Sequence, residues 1–288
     1  MQERRQLLNI AYRLLGSLAD AEDVVQEAYA RWYALPPGQR DEVAAPAAWL
    51  TTVTSRICLD LLGSARVRRE RYVGEWIPEP LPQAAGGSGS VADPADRVTL
   101  DESVGMAFLV VLENMTPAER VAFVLHDVFR YSFAEVGEIV GRSPGACRQL
   151  ASSARKRIRK ARVERGAARR QAEVVRAFAR AWAAKDIEAL IGVLDPDATA
   201  VSDGGGLVPA TLEPIAGAEQ IAQGLVRIMA LAPDGMVVLE RMVNGQPGVV
   251  TEVDGVTSTV MAFEVTGDRI TRMWAVRNPE KLRTWTNG

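Results

Sequence analysis

Residues 132–158 read SFAEVGEIVGRSPGACRQLASSARKRI, and this stretch decides the fold of the middle of the chain. Apolar residues recur over 133–140 at the spacing of a short amphipathic helix. Gly141 offers the left-handed backbone of a tight turn, and Ser143 and Pro144 are typical cap and first-position residues of a second helix. Two helices joined by such a turn predict a helix-turn-helix.

The second helix has the composition of a DNA-recognition helix. Its early exposed positions include the small Gly145, which lets a helix enter the major groove. Arg148 and Gln149 are side chains that can form paired hydrogen bonds with guanine and adenine edges respectively. The stretch 148–170 contains ten Arg or Lys residues and one Glu, which suits phosphate contacts. An exposed basic helix without a nucleic-acid partner is the alternative, and the coincidence of turn, small face and basic tail favours DNA binding.

The composition is that of an ordinary soluble protein with two to three domains. The 288 residues are 48% hydrophobic and 24% charged, with a net charge of −2. The last 118 residues are acidic, with ten Lys or Arg against fifteen Asp or Glu. The first residues lack a signal-peptide pattern, and no apolar run would span a membrane, so we expect a cytoplasmic protein. Cys58 and Cys147 are predicted to be buried thiols, and we expect neither metal nor cofactor.

The chain divides by pattern into two helical segments, a linker and an α+β segment. Helical spacing covers 6–72, with Asp20 placed to cap the second helix and a further helix predicted over 46–71. Residues 83–90 are rich in Gly, Ser and Ala and predict a flexible linker. A second all-helical unit runs from about residue 98 to about residue 165. After residue 171 one or two helices are expected (172–185 and 188–194), followed by strands at 198–201, 237–243, 246–253, 256–265 and 269–276.

Three stretches resemble the extracytoplasmic-function (ECF) sigma factors of RNA polymerase. DAEDVVQEAYARW (20–32) and AWLTTVTSRICLDLL (48–62) resemble region 2, and TPAERVAFVLHDVFRYSFAEVGEIVGRSPGACRQLASSARKRI (116–158) resembles region 4. From chemistry alone, the acidic helix at 20–32 would be an ordinary solvated surface. The resemblance implies a promoter-directing factor whose partners are core RNA polymerase, through its β′ clamp and β flap, and promoter DNA.

The resemblance also assigns roles to individual residues. Polymerase docking falls to Asp20, Glu22, Asp23, Gln26 and Glu27. Recognition and melting of the −10 element fall to Trp49, Arg56, Asp60, Arg66 and Arg69, although Trp49 is also well placed for core packing. Reading of the −35 element falls to Ser143, Gly145, Arg148, Gln149, Ser152, Arg155 and Lys156. Gly63 stands where an arginine is common in the family.

The linker and the last segment resemble a sigma-J-like subgroup that carries a fused SnoaL-like (NTF2-like) domain. The linker reads WIPEP at 76–80, where the subgroup has WLPEP, and DGGG stands at 203–206, with Leu207 in place of the usual lysine. The implied domains are region 2 (1–75), the linker (76–97), region 4 (98–165) and an α+β SnoaL-like cone (171–288). The expected regulatory interface is intramolecular, needs no separate anti-sigma factor, and consists of Trp76, Pro78, Glu79, Pro80, Asp203, Gly204, Gly205, Gly206, Asn278 and Pro279. A plain helix start explains residues 278–282 equally well.

Two other functions are compatible with parts of the pattern. One is a helix-turn-helix regulator that binds a small ligand in the C-terminal pocket, and the other is a SnoaL-type enzyme. Enzymes of that fold use Asp and His pairs, but the only histidine, His126, lies in the region 4 stretch. Asp203 is the one candidate base, and a residue of a Gly-rich turn is its favoured interpretation. We therefore expect no catalytic residue.

Overall fold

The computed structural model describes residues 2–69, 72–82, 105–161 and 168–286. It contains two compact units. Of these residues, 2–69 and 108–161 belong to unit 1, and 72–82, 105–107 and 168–286 belong to unit 2. Residues 72–82 of the linker therefore fold with the C-terminal segment. The flexible stretch predicted at 83–90 lies outside the described residues.

Unit 1 begins with four helices, α1 (Gln2–Leu15), α2 (Leu18–Ala34), α3 (Pro37–Asp41) and α4 (Pro46–Arg69). The predicted cap of α2 is wrong. Ser17 is the N-cap, and its hydroxyl accepts a hydrogen bond from the Asp20 amide at 3.2 Å. Asp20 lies in the first turn instead, where its charge interacts favourably with the helix dipole.

The buried side of α4 differs from the side that apolar residues indicate. Val53, Ile57 and Leu61 are only half-buried. The fully buried positions follow a neighbouring stripe that includes small polar side chains: Leu50, Thr51, Thr54, Ser55, Cys58 and Leu62. Small hydroxyl-bearing residues allow close helix packing. Hydropathy alone therefore places the buried face of α4 part of a helical turn away from the observed one.

The second helical segment contains α5 (Met106–Glu113), α6 (Pro117–Phe123), a π-helical turn (Val124–Val128), α7 (Phe133–Val140) and α8 (Pro144–Ala161). Helix α7 starts with a capping box, in which the side chains of Ser132 and Glu135 each bind the backbone amide of the other. It ends at Gly141, whose φ of 68° is the left-handed conformation predicted for the turn.

The two helical segments pack against each other within unit 1. Arg120 is 2% exposed, and its guanidinium donates to the Leu14 carbonyl at 2.7 Å and to both Glu113 carboxylate oxygens at 2.8 and 3.0 Å. The amide of Gln6 donates to the Tyr131 hydroxyl at 3.0 Å. Helices from opposite ends of unit 1's sequence are thus joined by a buried charge and its partners.

Unit 2 is a six-stranded mixed sheet, and helices α9 (Ala168–Ala183), α10 (Ile187–Val193) and α11 (Ala218–Ala230) share one hydrophobic core with it. A further helix is α12 (Arg283–Thr286). The strands are β1 (Leu194–Asp203), β2 (Ile215–Ala216), β3 (Val237–Val243), β4 (Gln246–Val253), β5 (Val256–Thr266) and β6 (Arg269–Val276). Their order is β2-β1-β6-β5-β4-β3, with only the β1–β6 pair parallel. The strands predicted at 237–243, 246–253 and 269–276 have the observed bounds, whereas β2 and α11 were not predicted.

Aromatic side chains fill the space between the helices and the sheet. Phe178 lies edge-on to Phe263 with ring centroids 5.0 Å apart, and both are buried. Trp182 is 1% exposed, and its indole nitrogen donates to the Leu225 carbonyl at 3.0 Å. This packing confirms the predicted α+β cone.

The structure also bears on the two cysteines, on membrane-spanning helices and on metal-binding clusters. Cys58 and Cys147 are buried, as predicted. Within residues 2–69, 72–82, 105–161 and 168–286, no helix has the length and apolar character needed to cross a bilayer. The same residues contain no cluster of three or more His, Cys, Asp or Glu side chains placed to hold a metal ion.

Candidate functional site

The first candidate site is the exposed side of helix α8. The Ser143 hydroxyl accepts a hydrogen bond from the Ala146 amide at 3.2 Å, which caps the helix start. Cys147, Ala151 and Ala154 are fully buried, so the helix is fixed on unit 1 by its small residues. A firmly seated helix presents its other side in a defined direction.

That other side carries the residues predicted to read DNA. Arg148, Gln149 and Lys156 are exposed, and Ser152 is half-buried. Arg155 differs, because its Nε donates to the Asp127 carboxylate at 2.6 Å. Because Asp127 already binds the Arg155 side chain, Arg155 is less available to contact a DNA phosphate than the sequence alone indicates. The exposed set is suited to direct hydrogen bonding with base edges and phosphates.

The second candidate site lies in unit 2 and holds the linker; we call it the linker-binding site, formed by Asp203, Asn244, Asn278, Lys281 and Trp285 around residues 72–82. Asp203 is 0% exposed at the end of β1. Its carboxylate accepts hydrogen bonds from the Tyr72 hydroxyl at 2.7 Å and the Ile77 amide at 3.0 Å. Asp203 therefore binds the linker in addition to the Gly205 amide of the turn that follows it.

Lys281 supplies the positive charge of the linker-binding site. Its ammonium donates to Asp203 at 2.7 Å and to the Ile77 carbonyl at 2.6 Å. It also lies 4.1 Å from the ring centroid of Trp76 and 5.2 Å from that of Tyr72. One buried ammonium thus binds a carboxylate of the sheet, a carbonyl of the linker and two linker rings.

The glycine run after Asp203 leaves room for these contacts. Gly205 has φ of +62°, and its amide donates to the Asp203 carboxylate at 3.1 Å. A Cβ there would lie 3.0 Å from the Tyr72 hydroxyl and would collide with the Asn278 amide. Since Asn278 donates to that hydroxyl at 2.9 Å, a side chain at 205 would displace the linker tyrosine.

The end of the described linker is held by backbone contacts. The Leu81 amide donates to the Asn244 side chain at 3.0 Å, and the Asn244 amide donates to the Leu81 carbonyl at 2.9 Å. Pro82 forms a bridge with Val243 at the sheet edge. Nearby, the Trp285 indole donates to the Pro80 carbonyl at 2.8 Å. On the linker these contacts use backbone groups, so they fix its path at the C-terminal end of the WIPEP motif.

Comparison with known proteins assigns the three parts of the chain. Residues 1–68 match the model of Sigma-70 region 2, residues 105–158 that of Sigma-70 region 4, and residues 175–278 that of a SnoaL-like domain. The chain is 37% identical to the ECF RNA polymerase sigma factor SigJ of Mycobacterium tuberculosis, over 97% of this chain and 90% of SigJ. It is 36% identical to the probable ECF sigma factor SigI of the same species, over 97% of this chain and 92% of SigI. The chain belongs to the ECF family of RNA polymerase sigma factors.

The crystal structure of SigJ agrees with this assignment. It superposes with a TM-score of 0.76 at 36% identity, over 98% of this chain and 96% of SigJ. The match covers both sigma regions and the SnoaL-like domain, so the predicted fold class is confirmed. As an ECF sigma factor, the protein directs promoter-specific initiation by RNA polymerase.

In region 2, the residues expected to dock on polymerase form one exposed set on α2, namely Asp20, Glu22, Asp23, Gln26 and Glu27. Glu27 is paired with Arg31 at 2.8 Å, an exposed pair of little energetic consequence. Together these side chains form an exposed, mainly acidic surface on unit 1.

The residues expected at the −10 element are in different environments. Trp49 is half-buried and packs on Trp32 with ring centroids 5.2 Å apart, which agrees with a packing role. Asp60 is exposed. Arg56 donates to the Glu138 carbonyl of α7 at 2.8 Å, so it is already engaged within unit 1. Arg66 and Arg69 lie in α4, and their side chains are outside the described part of the structure.

Sequence reasoning named the glycines, Asp203 and Asn278 but missed the partners that bind them, Tyr72, Ile77 and Lys281. Leu207 replaces the subgroup's usual lysine. Its side chain is 59% exposed, so position 207 lies outside the buried part of the linker-binding site. Lys281 could have been identified from the sequence, because it lies two residues after Pro279, which the expected regulatory interface already included.

The Tyr72 hydroxyl makes the linker-binding site sensitive to alkaline pH. Burial, and then the hydrogen bond to Asp203, raise the pKa of Tyr72 above its usual range. An unfolded tyrosine loses its proton near about pH 10. Above that pH the unfolded state binds fewer protons than the folded state, so the free energy of unfolding falls as pH rises. Denaturant unfolding of unit 2 between pH 9 and pH 11 is expected to show this slope, and Tyr72→Phe to reduce it. Identical slopes in both proteins would show that Tyr72 is not responsible.

Proposed function

We propose that the SnoaL-like domain modulates this sigma factor by holding the linker between regions 2 and 4. The observation that carries the proposal is the buried Asp203–Lys281 pair, which binds the linker through Tyr72, Trp76 and Ile77. A linker held along residues 72–82 has fewer conformations, and its restraint limits where the two DNA-binding regions can go. Such a switch needs only a few kcal/mol of differential binding between two forms.

The contacts inside unit 1 support a compact form that competes with promoter binding. Arg56, expected to contact the −10 element, is engaged by Glu138 of the helix-turn-helix. Tyr131, Gln6 and Arg120 hold the same two regions together. The −10 and −35 elements are separate stretches of duplex, so both can be bound only after these contacts open. In the proposed cycle, polymerase binding supplies the energy that opens unit 1.

The proposed partners are core polymerase and promoter DNA. The acidic set on α2 would bind the β′ clamp, region 4 would bind the β flap, and α8 would read the −35 element. The −10 element would be opened by Arg56, Asp60, Arg66 and Arg69, with Trp49 as packing support. The fused domain would serve in place of a separate anti-sigma factor, in the cytoplasm.

The SnoaL-like domain is proposed to be regulatory and not enzymatic. The carboxylate of Asp203, the candidate base, is occupied by Tyr72, Ile77 and Lys281. Phe178, Trp182 and Phe263 pack together inside the cone, which leaves less support for a ligand-sensing regulator. An open depression of about 320 Å³ lies next to the start of α11, and its Arg269 side chain donates to the Leu194 carbonyl.

Promoter-specific transcription by core polymerase tests the regulatory proposal. The full chain is compared with a chain lacking residues 171–288 and with Asp203→Asn, which keeps the shape of the side chain but removes its charge. Both changes are expected to alter the yield of promoter-specific transcripts. Yields equal to that of the full chain in both variants would overturn the regulatory proposal, while leaving the sigma function intact.

Removing the Arg148 side chain is expected to weaken promoter recognition at one base position. A paired hydrogen bond to a base contributes about 1–3 kcal/mol of discrimination. Arg148→Ala should therefore lose that discrimination at a single position of the −35 element, with binding compared at fixed salt. A uniform loss over all sequences would mean that Arg148 contacts phosphate only.

A further inference from the structure

Three side chains of region 4 form a cluster beneath the predicted base-reading surface. The rings of His126 and Phe133 are stacked, with centroids 3.8 Å apart and planes at 23°. The Arg148 guanidinium carbon lies over the Phe133 ring, 5.4 Å from its centroid. The cluster joins the π-helical turn, the first residue of α7 and the recognition helix α8.

The surroundings fix the aromatic part of this cluster. The His126 Nδ1 donates to the Tyr131 carbonyl at 2.8 Å, which sets the direction of the imidazole. Phe133 follows the capping-box residue Ser132, so the start of α7 and the position of the ring are defined. Both rings are half-buried, whereas Arg148 is exposed. A fixed ring thus lies beneath a side chain that would otherwise be free to move.

Stacking orients an arginine without using its hydrogen-bond donors. A guanidinium over an aromatic ring is attracted by the π face, and this attraction does not require a conventional hydrogen bond from its N–H groups. Those N–H groups are the donors that bind the O6 and N7 atoms of guanine. A free arginine loses much rotamer freedom when it binds, and one already held over a ring loses less.

We propose that Phe133 is a positioning residue for promoter recognition, which holds Arg148 in the direction needed to discriminate one base of the −35 element. The proposal rests on the proposed role of Arg148. Phe133 itself touches no base in this account. It acts on specificity through the arginine, and His126 supports the ring from within the domain.

The test measures base preference in the complete holoenzyme. The full chain and core RNA polymerase transcribe a promoter library with a randomised −35 hexamer, and sequencing of the transcripts gives the preference at each position. Four proteins are compared with the unchanged chain: Phe133→Leu, Phe133→Tyr, Arg148→Ala and Phe133→Leu combined with Arg148→Ala. Leucine keeps an apolar side chain but removes the aromatic face, and tyrosine keeps that face. Far-UV circular dichroism confirms that each variant is folded.

Phe133→Leu is expected to reduce the preference about two- to fivefold at the position affected by Arg148→Ala, the range of an exposed cation–π contact. Phe133→Tyr should retain the preference, and Phe133→Leu should have no further effect once Arg148 is absent. An unchanged preference in Phe133→Leu, or an equal loss with and without Arg148, would overturn the positioning role. If Arg148→Ala itself changed no single position, the base-reading role of Arg148 would fail first, a separate result.

Discussion

Replacing Lys281 with methionine is expected to lower the free energy of unfolding of unit 2 by about 3–5 kcal/mol, the cost of breaking a buried ion pair from one side. Asp203, with no exposed surface, would lose the ammonium 2.7 Å from its carboxylate. The Ile77 carbonyl would also lose its donor. Methionine fills a similar volume, so the loss reports the charge and its hydrogen bonds more than a cavity.

Hydrogen exchange followed by mass spectrometry measures this change locally. Peptides covering residues 72–82 and the end of β1 should exchange much faster in Lys281→Met. Lys185→Met is the matched control, because Lys185 is an exposed lysine of the same unit and its loss should matter little. Equal exchange in the two variants would mean that the linker is held by other contacts.

Replacing Arg120 with methionine is expected to destabilise unit 1 by a comparable amount, about 3–5 kcal/mol. The change leaves the Glu113 carboxylate without its two guanidinium hydrogen bonds and the Leu14 carbonyl without its donor. Because Leu14 belongs to region 2 and Arg120 to region 4, faster hydrogen exchange is expected in both regions. Arg5→Met, at an exposed arginine of α1, is the control. A loss of protection confined to region 4 would contradict a joint role for Arg120.

Local patterns predicted the parts of the fold that local contacts build. The turn at Gly141, the start of α8 after Ser143 and three strands with their bounds all follow from spacing and turn residues within a few positions. The exception at Ser17 is instructive, because Ser17 and Asp20 both suit an N-cap and only the backbone direction decides between them.

The linker-binding site was only partly predictable, because its contacts join distant parts of the chain. Tyr72 and Asp203 are 131 residues apart, and Tyr72 and Asn278 are 206 apart. Resemblance named the glycines and the linker motif, but no spacing rule pairs a carboxylate with a lysine 78 residues later, as Asp203 and Lys281 are paired.

This chain is a polymerase subunit that selects promoters, and transcription with purified components tests that function most directly. The full chain is mixed with core RNA polymerase, the complex is isolated by size exclusion, and transcript 5′ ends are mapped on a promoter library. The chain is expected to elute with the core enzyme and to produce transcripts that start at defined sites, with Arg148→Ala changing which sites are used. A chain that elutes apart from the core enzyme, or a complex whose transcripts match those of the core enzyme alone, would contradict the claim.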